Sequence, residues 1–108
     1  MDRRDVVREY YDAIDRGDYE RLAALLAPEF VHRRPDRTLE GRDGFVAFMR
    51  DDRPRTDTEH VLAEVCGGDE SVFARGRLRT RDGDALFGFV DAFRVVDGRI
   101  ESLTTYTD

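Results

Sequence analysis

The spacing of apolar residues changes once along this chain, near residue 55: before it they recur every three or four positions, after it every second position. In the first half, Val6, Val7, Tyr10, Tyr11 and Ile14 form the single stripe of an amphipathic helix. Gly17 is placed to close that helix in the left-handed conformation open to glycine. Asp18 then caps a second helix with Leu22, Leu25 and Leu26 on its apolar face, and Pro28 forbids its continuation. Phe30 to Arg34 reads as a brief extended segment with Phe30, His32 and Arg34 on one face, ahead of the loop Pro35-Asp36-Arg37. Asp43 caps a third helix carrying Phe45, Val46, Phe48 and Met49.

After Pro54, the period of two predicts strands at 57–66, 70–81, 85–96 and 99–107, broken at Gly67-Gly68, Asp82-Gly83 and Asp97-Gly98. The result is a four-stranded antiparallel meander. Two-residue turns at the first two breaks set Leu78 opposite Phe87, Gly76 opposite Phe89, Ala74 opposite Asp91 and Val72 opposite Phe93. Small residues facing rings leave room for a cavity. Helices first and strands after, in 108 residues, indicate one α+β domain.

The chemistry centres on Asp91, which shares a strand face with Phe87, Phe89 and Phe93. An unpaired carboxylate on an apolar wall must find a partner or stay protonated, and either condition suits a functional pocket. By strand parity His60 goes with Leu62 and Glu64, away from the face of Asp91. On the other face of strand 70–81, Arg75, Arg77, Arg79 and Arg81 could be read as an anion-binding stripe, but in a chain of negative net charge they read better as a solvated or dimer-facing surface paired with acids such as Glu64. Leu86, Val90, Ala92 and Val96 make the outer face of the next strand apolar enough to expect a homodimer packed sheet against sheet.

Composition narrows the function classes. The net charge is −6, all 18 basic residues are arginine, and acids number 24. An acidic chain is a poor match for nucleic acid. The excess of acid fits a halophilic cytoplasm, where salt screens self-repulsion. No stretch reaches the length of an apolar membrane span, and the opening Met-Asp-Arg-Arg-Asp-Val-Val has no signal-peptide core, so a cytoplasmic location is expected. Cys66 is the only cysteine and there are two histidines, so neither a disulfide nor a metal centre is expected. No phosphate loop, dinucleotide fingerprint or nucleophile elbow occurs, and no cofactor is expected.

Four segments carry a family resemblance: Tyr-Tyr-Asp-Ala-Ile-Asp-Arg-Gly-Asp near the start, Leu-Ala-Pro-Glu-Phe-Val with a following Pro, Glu-Gly-Arg-Asp before the third helix, and the closing Val-Asp-Ala-Phe-Arg-Val-Val-Asp-Gly-Arg-Ile. In order and across nearly the whole chain, they resemble the SnoaL-like branch of the nuclear transport factor two superfamily, which includes ketosteroid isomerase, scytalone dehydratase and limonene epoxide hydrolase. The resemblance implies a cone-shaped α+β domain: three N-terminal helices packed on a strongly curved, mainly antiparallel sheet, a pocket at the open end and usually a dimer. By similarity to ketosteroid isomerase, Tyr10 matches the tyrosine that donates to the substrate oxyanion and Asp91 the neutral aspartic acid beside it. The aspartate base of that enzyme falls at the position before Pro35, which here is Arg34, and arginine cannot take up a proton near neutral pH.

Two readings follow. In the first, His32 replaces the base, Tyr10 and Asp91 polarise a carbonyl, and Arg34 holds an anionic group, giving isomerase, cyclase or dehydratase chemistry on a small apolar or carbonyl-containing ligand. Phe48, Phe87, Phe89 and Phe93 would line the pocket. In the second, Arg34 and Asp91 form an ion pair across the pocket, and the domain is a binding or structural module without chemistry.

Overall fold

A computed structural model describes residues 1–108. Helix α1 spans Arg3–Arg16; the Asp2 carboxylate caps it by accepting from the Asp5 amide, and Gly17 closes it at φ 71°. Its apolar stripe is fully used: Val6, Val7, Tyr10, Tyr11, Ala13 and Ile14 are buried. Asp18 caps α2, Tyr19–Ala24, by accepting from the Arg21 amide. That helix ends earlier than its leucine spacing suggests. Leu26 already belongs to strand β1, Leu26–Arg33, which passes through Pro28 and is followed by β2, Thr38–Glu40, a strand the sequence pattern does not announce.

Helix α3, Arg42–Ala47, starts from Gly41 at φ 86° with no side-chain cap; Asp43 lies inside its first turn, two residues beyond the cap position, a correction to its expected capping role. The helix then widens into a π-helical turn over Phe48–Asp52. Strands β3 Thr58–Gly68, β4 Ser71–Thr80, β5 Ala85–Val96 and β6 Arg99–Thr107 complete the chain. All six strands form one sheet in the order β2-β1-β6-β5-β4-β3, and only the β1–β6 pair is parallel. No helix is long and apolar enough to cross a membrane.

The β4–β5 register agrees with the expectation from Asp82-Gly83: Val72 faces Phe93, Ala74 faces Asp91, Gly76 faces Phe89 and Leu78 faces Phe87. The β3–β4 connection does not lie at Gly67-Gly68. Both glycines are in the strand, and Asp69 takes the positive φ, 46°, of a turn two residues later. Shifting a turn by two preserves parity, so the faces are unaffected near the turn. A bulge is what changes them: Leu62 pairs with Gly76 and Glu64 with Arg75, leaving Ala63 as an extra residue. Upstream of Ala63, His60 therefore faces Leu78 and Leu62 faces Gly76, both on the inner side, opposite to the uniform alternation read from the sequence.

Further register shifts between Leu78 and Arg79, Arg94 and Val95, and along β1 bend the sheet around α1. The core fills that concavity: Phe30, Phe45, Ile14, Leu22, Leu25, Leu26, Ile100 and Leu103 are almost wholly buried. The outer face carries the arginine stripe, with Arg75 on Glu64 at 2.9 Å, Arg79 on Glu59 at 2.7 Å and Arg77 near Asp108 at 3.8 Å. Phe73, Val90, Val61 and Tyr106 are exposed on it, whereas Leu86, left unpaired by the bulge beside Leu78, lines the cavity, a correction to its expected outer placement.

Candidate functional site

At the open end of the curved sheet lies a cavity of about 510 Å³. Its apolar wall comes from Ile14, Met49, Leu78, Leu86, Phe87 and Phe89. Its polar groups are Tyr10 and Tyr11 from α1, His32 from β1, His60 from β3, Asp91 from β5 and Thr105 from β6, with Arg34, Asp36, Arg53 and Arg55 contributed by the loops.

Asp91 is 5% exposed, and both of its oxygens are engaged. The Tyr11 hydroxyl donates to Oδ2 at 2.5 Å and the Thr105 hydroxyl donates to Oδ1 at 2.6 Å. Burial pushes the Asp91 pKa above the ordinary carboxylate value, opposed by these two hydrogen bonds and, less strongly, by the charges of His60 and Arg34. Burial and the neighbouring carboxylate also raise Tyr11, which keeps its phenol protonated as a donor.

The tyrosine that meets Asp91 is Tyr11, a correction to the expectation for Tyr10. Successive helical residues point about 100° apart, and Tyr10 is turned toward α3. Its ring stacks on Phe45 at 6.4 Å and meets Phe93 edge-on at 5.4 Å. It still lines the cavity, and it makes no hydrogen bond within the protein. Burial raises its pKa well above the usual phenol value.

His32 is 8% exposed and shares the inner face of β1 with Phe30; Arg34, in the loop directly after the strand, also lines the cavity. Its Nε2 lies 2.8 Å from Thr105 Oγ1. The Thr105 hydroxyl has a single hydrogen and gives it to Asp91, so His32 Nε2 carries a hydrogen and donates, leaving Nδ1 as a lone pair. That Nδ1 is buried and has no partner. Burial first, and the Arg34 charge second, push the His32 pKa down to about 3, so the ring stays neutral. His32, Thr105 and Asp91 thus form a chain of hydrogen bonds along which a proton can shift by exchanging donors and acceptors.

His60 faces the cavity because of the Ala63 bulge, a correction to its expected outward placement. Its Nδ1 is 2.6 Å from Asp15 Oδ1, and its backbone amide donates to Asp15 Oδ2 at 2.9 Å. The ring packs against Tyr11 at 4.9 Å and Phe89 at 5.7 Å.

Arg34 does not pair with Asp91. Its Nε is 3.5 Å from Asp36 Oδ1, within the loop that follows β1, while Asp91 is satisfied by hydroxyl groups. The proposed ion pair across the pocket is therefore absent. Two of the expected wall residues are also displaced. Phe48 lies under the guanidinium groups of Arg37 and Arg34, at 5.1 and 5.9 Å, outside the cavity lining. Phe93 sits behind Tyr10 and Tyr11 in the core. Phe87 and Phe89 are in the lining as expected.

The sequence reading missed Tyr11, Thr105, Asp15, His60 and Arg53. Thr105 was reachable in principle, because it pairs with Asp91 across β5–β6, but a bulge at Arg94/Val95 obscures that register. Asp15 is one helical turn beyond Tyr11 on the same side of α1. Arg53 ends the π-helical turn and donates from Nη2 to the Tyr19 hydroxyl at 3.3 Å.

Residues 7–103 match the SnoaL-like domain family. Among curated proteins, none matches the sequence. Of solved structures, a nuclear transport factor two-like protein of unknown function from Cytophaga hutchinsonii superimposes with a TM-score of 0.86 at 18% identity, covering 100% of this chain and 91% of that one. A provisionally assigned ketosteroid isomerase from Kribbella flavida gives 0.84 at 22% identity, over 97% and 76% of the two chains. A provisionally assigned polyketide cyclase from Sinorhizobium meliloti gives 0.82 at 20% identity, over 94% of each. At these identities the likeness establishes the fold.

Proposed function

Because the chain belongs to the SnoaL-like domain family, whose fold forms a pocket around α1 in this protein, we propose that it is an acid–base enzyme of isomerase, cyclase or dehydratase type. Its substrate is a small, mainly apolar molecule with a carbonyl group. One observation carries this reading: a buried carboxyl group, Asp91, held by the Tyr11 and Thr105 hydroxyls inside a cavity with an aromatic wall. A carboxyl kept neutral by burial donates a hydrogen bond, and together with the free Tyr10 hydroxyl it stabilises the negative charge that develops on a carbonyl oxygen when a neighbouring carbon loses a proton. The provisional assignments of the Kribbella and Sinorhizobium proteins name chemistry of this class.

In this reading Asp91, with Tyr11 bonded to its Oδ2, forms the oxyanion pole. Tyr10 offers its free hydroxyl to the substrate, and His32 moves a proton through Thr105. Arg34 and Arg53 favour an anionic substituent at the mouth. Pairing with a second copy through the outer sheet face would cover Phe73, Val90 and Tyr106.

The test is the pKa of Asp91, followed by its carboxyl-carbon chemical shift across a pH titration and assigned with Asp91→Asn. An Asp91 carboxyl that is still protonated near neutral pH, well above the ordinary aspartate value of 3.8, supports the proposal. A carboxyl that is ionised near neutral pH is a structural carboxylate and overturns the proposal.

A further inference from the structure

Asp15 holds His60 at two points. One carboxylate oxygen accepts from the His60 backbone amide at 2.9 Å, and the other lies 2.6 Å from ring Nδ1. An ionised carboxylate only accepts, so in the neutral ring Nδ1 bears the hydrogen and Nε2 is the lone pair. Nε2 has no hydrogen-bond partner, and its ring lines the same cavity as Asp91. The side chains of His60 and Asp15 are 17% and 21% exposed, so the pair is partly withdrawn from water. The ring also rests on Tyr11, whose hydroxyl holds Asp91, so one tyrosine separates the two polar stations.

From this geometry we infer that His60, oriented by Asp15, is the base that removes the substrate proton in the reaction proposed above. His32 is less suited to that step: its Nε2 is committed to Thr105 and its Nδ1 is enclosed. The inference rests on the acid–base reading for the reaction. His60 Nε2 takes the proton from the carbon beside the carbonyl. The C–H electron pair becomes the new carbon–carbon double bond, and the carbonyl π pair moves to oxygen, where neutral Asp91, itself bonded by Tyr11, donates a hydrogen bond to it. The Asp15 carboxylate balances the imidazolium. The proton on Nε2 then passes to another carbon, giving an isomer, or to a departing hydroxyl group, giving water. Asp15 is a positioning residue.

The experiment begins on the unmodified protein. With only two histidines in the chain, nitrogen NMR reads both tautomers directly. His60 is expected as the Nδ1–H form with unprotonated Nε2, and diethyl pyrocarbonate is expected to acylate His60 before His32. Asp15→Asn should release the tautomer preference and slow that acylation. The base itself is read with 5-nitrobenzisoxazole, in which loss of the ring C–H proton breaks the N–O bond and releases a coloured phenolate. His60→Ala is expected to lower this rate by about 100-fold. An Nε2–H tautomer at His60, acylation of His32 first, a rate unchanged in His60→Ala, or a protein inert to the probe would overturn the inference. The probe reaction needs a base and a cavity but no neutral carboxyl group, so its failure leaves the Asp91 titration standing, and the reverse also holds.

Discussion

The Tyr11 hydroxyl and Asp91 Oδ2 are 2.5 Å apart, a bond that ties the middle of α1 to the centre of β5 across the floor of the cavity. Tyr11→Phe keeps the ring packing and removes the donor. One buried carboxyl oxygen then loses its partner, which costs about 1–3 kcal/mol of stability in urea unfolding. Because the phenol holds the Asp91 pKa down against burial, the same variant should raise it further, seen in the carboxyl-carbon titration. A lower Asp91 pKa in Tyr11→Phe would contradict this assignment.

Asp91 also sets a direction for stability against pH. Its folded pKa lies above the unfolded value, so the folded state binds the extra proton. That contribution is fully present below the unfolded pKa and is lost as pH rises through the folded one. Relative to Asp91→Asn, which does not titrate, the wild type should lose stability on alkalinisation across this window. Urea midpoints at a series of pH values measure the difference.

His32 acts in the opposite sense. Its pKa falls from 6.5 to about 3 on folding, so its stabilising contribution is present above 6.5 and is lost as the solution is acidified toward 3. The slope is at most about 1.4 kcal/mol per pH unit. Between these limits the Asp91 contribution runs against it, so the comparison to make is wild type with His32→Gln, whose stability should depend less on acid.

Gly76 is required for packing. A Cβ there would lie 2.4 Å from the Val61 carbonyl oxygen and 3.1 Å from Leu62 Cα, on the strand beside it. Backbone atoms have little freedom to yield, so Gly76→Ala should destabilise by about 1–3 kcal/mol. The same variant should disturb the NMR signals of His60 and Phe89, since it presses on the bulge that places one and touches the ring of the other.

By contrast, Arg75→Ala on the outer face removes an exposed pair with Glu64 and should change stability by no more than about 1 kcal/mol. A larger loss would mean that this arginine stripe has a role beyond solvation.

What the sequence revealed and what it hid follow from the range of each interaction. Helix α1 was legible because Val6, Tyr10 and Ile14 report a local period, and Gly17 and Asp18 mark its end and the next start. Ala74 opposite Asp91 agrees with the expected register by compensation: three residues, not two, separate Thr80 from Asp84, and the extra residue Leu86 restores the pairing. Tyr10 and Tyr11 could not be ranked, since both belong to the buried stripe and only the position of β5 decides which hydroxyl meets Asp91. His60 was assigned to the wrong face because a bulge leaves no compositional mark: Ala63 looks like any other strand residue. The pairing expected between Arg34 and Asp91 failed for a similar reason, since the loop after β1 supplies Asp36 as a closer partner.

The extra residue at Ala63 also divides β3 into two numbering schemes for anyone wishing to redesign the cavity. Toward the base of the strand the inward addresses are even, Thr58, His60 and Leu62; beyond the bulge they become odd, beginning with Val65 opposite Ala74. A library that randomised every second codon from 58 onward would reshape the pocket at Thr58 and His60, touch the core at Leu62 and then, at Glu64, begin rewriting the outer surface. Deleting Ala63 alone would leave Leu62 against Gly76 and Glu64 against Arg75 in an unbroken ladder, whereas a single-residue insertion elsewhere in Thr58–Leu62 would exchange one wall of the cavity for residues meant for water.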